Sequence, residues 1–118
     1  MDVTVDPPRQ QQSLDQDLPG LRAVADLYIQ AKALILYSEE VDPESRSNLQ
    51  VIKELRDAFD HLMRVIVARV GNQTSPGATD PEYCSKNIQK AIGHIYRAAF
   101  DALDGTARYC HCVSKLLR

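Results

Sequence analysis

Apolar residues fall at helical intervals over most of the chain. Leu21, Val24, Tyr28, Ala31 and Ile35 alternate spacings of three and four, which lines one face of a helix and predicts α-helix from Pro19 to Glu40. The second half of that segment, Ala33 to Tyr37 (ALILY), is apolar almost all round, so it is expected deep between helices or at a subunit contact. Leu49, Ile52, Leu55, Phe59, Leu62 and Ile66 mark a second helix over residues 43–70. Asp42 offers it an N-cap oxygen, Pro43 sits where a missing N–H costs nothing, and Gly71 ends it.

The segment GNQTSPGATD, residues 71–80, concentrates turn formers and reads as an internal loop. Asp80-Pro81-Glu82 then repeats the cap-and-proline start, with Glu82 placed favourably in the first turn. Cys84, Ile88, Ala91, Ile95, Ala99 and Ala102 form the third stripe, and its phase runs on through Tyr109, Val113 and Leu116 beyond Gly105. A mid-helix glycine costs about 1 kcal/mol against alanine. One long helix over 81–117, or two nearly collinear ones, therefore fits. The expected fold is all-α, an antiparallel up-down bundle of three long helices, or four if the third breaks at Gly105.

Composition supports that reading. The 118 residues include no Trp and little aromatic content, which argues against an all-β chain, and the length suits one domain with its own core. Residues 1–18 (MDVTVDPPRQQQSLDQDL) hold a proline pair, a Gln run and little to bury, so a flexible acidic N-terminal arm is expected before a single helical-bundle domain at 19–118. That arm is a candidate strap for a protein partner. It carries Asp2, Asp6, Asp15 and Asp17 against Arg9, or −3, and the chain total of −2 leaves +1 for the remainder. A weakly basic body is compatible with RNA or nucleotide contact. The longest apolar runs are about five residues, far short of the roughly 20 that span a bilayer, so no membrane insertion is expected. Three cysteines without framework spacing, and no secretory apolar segment, point to a reducing cytoplasm.

The polar side of the second helix gathers Glu54, Asp57, His61 and Arg64, with Asp57 spaced to hold His61 in one tautomer. Arg56 lies at the other border of the apolar arc, roughly 140° from His61 on a helical wheel. The third helix carries His94, Arg97, Asp101 and Arg108 to one side of its stripe, with Lys90 one turn before His94 and Arg97–Asp101 spaced for an ion pair. His61-x-x-Arg64 and His94-x-x-Arg97 repeat one unit, as DHLMRVI and GHIYRAA. Antiparallel packing would let the two units meet in one groove, a mixed His/Arg/Asp cluster suited to binding phosphate and moving protons. Such charged faces also occur as ordinary solvated helix surfaces. Cys110-His111-Cys112 sets metal ligands side by side, about 100° apart on a helix, so neither a metal nor a cofactor is expected. Cys84 reads as a buried structural thiol.

Arg56-Asp57-Ala58-Phe59-Asp60-His61 resembles the arginine, polar residue, three further residues, histidine pattern of the HEPN superfamily of small all-helical proteins. The resemblance implies a homodimer in which arginine and histidine of both members line a cleft that cuts RNA without metal, the histidine assisting attack by the 2′-hydroxyl. It implies Arg56 on phosphate, His61 as acid or base and Asp57 orienting it. Arg64, His94, Arg97 and Asp101 would line the same groove. Met63 stands where the branches that pair with nucleotidyltransferases have Tyr, which speaks against that branch. The alternatives are a non-catalytic helical interaction module and a small-nucleotide sensor using the same groove.

Overall fold

The computed structural model describes residues 9–41, 48–71 and 80–117. Three helices account for nearly all of them: α1 (Arg9–Val41), α2 (Asn48–Val70) and α3 (Tyr83–Leu116). The chain is an all-α bundle, as the periodicity predicts, and α3 packs extensively on both other helices while α1 and α2 barely meet. Glu54 of α2 reaches His94 of α3, and His61 reaches Asn87, so these two helices run antiparallel. Asp17 of α1 reaches Arg69, near the end of α2, which makes that pair antiparallel as well. α3 continues through Gly105 without a break.

Both ends around the second connection follow local chemistry. The Gly71 N–H donates to the Val67 carbonyl at 2.9 Å, and a Cβ at Gly71 would lie 2.6 Å from that same oxygen, so only glycine fits the close of α2. At the start of α3 the Glu82 N–H donates to Asp80 Oδ1 at 2.9 Å, and Lys86 Nζ lies 3.0 Å from Oδ2. The Glu82 amide, then Lys86, hold the Asp80 carboxyl below its usual range. The Asp42-Pro43 start expected for the second helix lies outside the described residues.

α1 begins ten residues before Pro19, and the segment from Arg9 is helical where a flexible arm is expected. The reason is Asp17: its carboxylate is 7% exposed and accepts from Arg69 Nε at 2.8 Å, which draws the turn before Pro19 into the bundle. Pro19 therefore sits inside α1, where it has no N–H to close the turn behind it.

The core is built largely of small residues. Ala31, Ala58, Ala91, Ala98 and Ala102 are buried together with Val24, Val51, Val65, Ile88 and Ile95. Alanines at an interhelical seam let backbones approach closely, and Gly20 shows the same on α1, where a Cβ would come within 3.1 Å of Ile88. Close approach rotates α2 away from its expected phase. Leu49, Ile52, Phe59 and Ile66 are exposed, Phe59 at 60%, and Val51, Glu54, Ala58 and Val65 face inward instead. Leu36 and Tyr37 of the ALILY segment are exposed too. The stripe on α3 is buried as predicted at Cys84, Ile88, Ala91, Ile95 and Ala102. Because Ala98 has no exposed surface, Ala98→Leu is expected to force the helices apart and cost about 1–3 kcal/mol, read by chemical denaturation.

Candidate functional site

The antiparallel register of α2 and α3 sets a polar layer across an otherwise apolar seam. Glu54, Asp57 and His61 are spaced three and four apart, so all three project from one side of α2, and Asn87 and His94 meet them from α3. His61 and His94 stack, with ring centroids 5.3 Å apart and planes 15° from parallel. The two His-x-x-Arg units thus come together through their histidines.

Each ring is held by its Nδ1. Asn87 Nδ2 donates to the Tyr83 carbonyl at 2.9 Å, which turns the Asn87 amide oxygen toward His61 Nδ1, also at 2.9 Å. An amide oxygen only accepts, so His61 Nδ1 donates. His94 Nδ1 lies 2.6 Å from Glu54 Oε2, and Gln50 donates to the other oxygen, Oε1, at 3.2 Å. A carboxylate with both oxygens accepting makes His94 Nδ1 a donor as well. In both neutral rings the lone pair is therefore on Nε2. No buried side-chain nitrogen or oxygen among the described residues lacks a partner, so an Nε2 left unbonded by protein is open to water.

The other predicted residues distribute differently. Asp57 is partly exposed and lies 3.7 Å from Arg56 rather than on His61, whose Nδ1 is taken by Asn87. Arg56 is 70% exposed, and Asp57 is the acid it pairs with. Arg64 is half exposed and pairs with Asp60 at 2.9 Å. Arg97 is exposed and Asp101 partly buried, one and two turns beyond His94. The Arg108 side chain lies outside the described residues. Asn87 escapes a search for charged or nucleophilic residues because it is neutral, although its position two turns before His94 is legible. Glu54 is legible on the polar side of α2, but its burial, at 8% exposed, is not.

A second feature has no counterpart in the sequence reading. Because α1 and α2 barely touch, an apolar groove of about 490 Å³ opens between them. Leu21, Val24 and Tyr28 line one wall, Leu55, Phe59 and Leu62 the other, and Ile95 of α3 forms the floor. It lies on the flank of α2 opposite the histidines.

Cys84 is buried beside the Arg69 guanidinium, and burial pushes its thiol up despite that neighbouring cation. Alkylation of the folded chain, read by peptide mass spectrometry, is expected to modify exposed Cys110 at least about tenfold faster than Cys84. No helix among the described residues is long and apolar enough to cross a membrane. Comparison with protein-family models, curated proteins and solved structures finds no match to the chain.

Proposed function

We propose that the chain is a HEPN-like RNA-binding protein that cuts RNA without a metal, using His61 and His94 as an acid–base pair. The observation that carries this reading is the stacked imidazoles, each fixed by its Nδ1 and each keeping Nε2 for proton transfer. With ring centroids 5.3 Å apart, the two imidazoles are near enough to be presented to one phosphodiester. One neutral ring takes the proton of the 2′-hydroxyl while its oxygen attacks phosphorus. The other, protonated, gives its proton to the departing 5′-oxygen, which leaves a 2′,3′-cyclic phosphate and a 5′-hydroxyl. Lys90, Arg97 and Arg64, exposed on the same flank, are placed to hold the adjoining phosphates.

On the HEPN pattern Arg56 serves such a site from a second copy, because on its own helix it lies roughly 140° from His61 around the wheel. The apolar groove and the exposed Ile52, Phe59 and Ile66 beside it favour association of this kind. The same groove supports the second reading, a non-catalytic helical module that docks other helices while the polar layer sets register. RNA degradation by wild-type protein and by His61→Ala, at matched folding, separates the two. Loss of degradation in the variant supports the enzyme; equal activity in both, or none in either, removes it and leaves the module.

A further inference from the structure

The carboxylates beside His94 have a use that proton transfer does not exhaust. We propose that Glu54, Asp57 and His94 form a binding site for a divalent first-row transition-metal ion. Their ligand atoms, two carboxylate oxygens and one imidazole nitrogen, all lie within 4.8 Å of one another. Ligands about 2.0–2.2 Å from one ion sit roughly 3–4 Å apart, so small side-chain rotations close the set. The donors come from two helices. Glu54 and Asp57, three apart, share a face of α2, and His94 approaches from α3.

The surroundings orient these donors as ligands are oriented in metal sites. Gln50 holds Oε1 of the buried Glu54 and leaves Oε2 aimed at His94. Stacking on His61, itself tied to buried Asn87, fixes the plane of the His94 ring. Asp57, partly exposed, opens the site to water, which gives an ion a way in and leaves further coordination positions for solvent. Two carboxylates at one place also need positive charge. Arg56, 3.7 Å from Asp57 and 70% exposed, supplies little of it. Two oxygens and one imidazole suit Mn²⁺, Fe²⁺, Co²⁺ or Zn²⁺ better than a thiolate-preferring ion. An ion at Nδ1 takes the position of the ring proton, which then resides on Nε2. Metal binding and proton transfer by His94 therefore exclude one another, and binding is measured directly, whether or not RNA is cut.

The probe is Co²⁺, added to chelator-treated full-length chain carrying Cys110→Ser and Cys112→Ser so that neither of these thiolates competes. Saturation of the visible d–d absorption at one ion per chain is expected, with affinity lowered at least about tenfold by Asp57→Asn and by Glu54→Gln, circular dichroism confirming the fold. No saturable absorption up to millimolar Co²⁺ overturns the proposal, and so does binding that Asp57→Asn leaves unchanged. Should Glu54→Gln fail to fold, Asp57→Asn alone decides, because Asp57 is not part of the buried core.

Discussion

Under the proposed acid–base role, His94→Gln is expected to lower the rate of RNA cleavage about 10²- to 10⁴-fold while the protein stays folded. In free energy of activation that is about 3–5 kcal/mol. The substitution separates two roles of one side chain. A glutamine amide N–H can still donate to Glu54 Oε2, so the buried carboxylate keeps a partner and the seam between α2 and α3 is spared. A glutamine cannot carry a proton from one oxygen to another. Alanine would confound the result, because Glu54 would be left buried with only Gln50 to satisfy it. Initial cleavage rates beside thermal melts give the answer, and a rate within threefold of wild type at equal stability would take His94 out of the chemistry.

The largest expected loss of stability comes from Arg69→Ala, at about 2–4 kcal/mol. Breaking a buried ion pair by removing one partner costs about 3–5 kcal/mol, and some discount applies because Arg69 keeps a fifth of its side chain in water. The pair joins the first turns of α1 to the last turn of α2, the two helices that otherwise share little contact. Asp17, 7% exposed, would be stranded as an uncompensated buried charge. The double variant Asp17→Leu/Arg69→Met is expected to recover most of the loss, since an apolar pair needs no charge compensation. Urea unfolding of both proteins measures the difference. If Arg69→Ala unfolds at the wild-type midpoint, the pair does not secure α1, and the helix before Pro19 has no tertiary anchor.

Part of the site was legible from spacing alone. The repeated His-x-x-Arg units allowed that antiparallel helices could bring both units into one mixed His/Arg/Asp groove; the two histidines do stack, whereas Arg64 pairs with Asp60 on its own helix. Spacing could not say which partner each imidazole would take. Asp57 is ideally placed for His61 along the helix, yet Asn87 from α3 occupies its Nδ1, because a partner across a seam competes on equal terms with one on the same turn. The ion pair at Asp17 was illegible for a similar reason: a proline pair, a Gln run and acids look like a tail until an arginine 52 residues away makes one of those acids a buried anchor.

What the sequence by itself determined is the helical class, the antiparallel order imposed by length and turns, and the close of α2 at Gly71. Those properties rest on local chemistry, on periodicity and on the steric freedom of single residues. Only the tertiary structure decided which of two neighbouring apolar stripes on α2 would be buried. The narrow stripe of Val51, Ala58 and Val65 lies inside and the bulkier one, with Ile52 and Phe59, outside, because the alanines of α3 allow close approach only along a face of small side chains. That one rotation sets Glu54 against His94 and leaves the groove between α1 and α2 open.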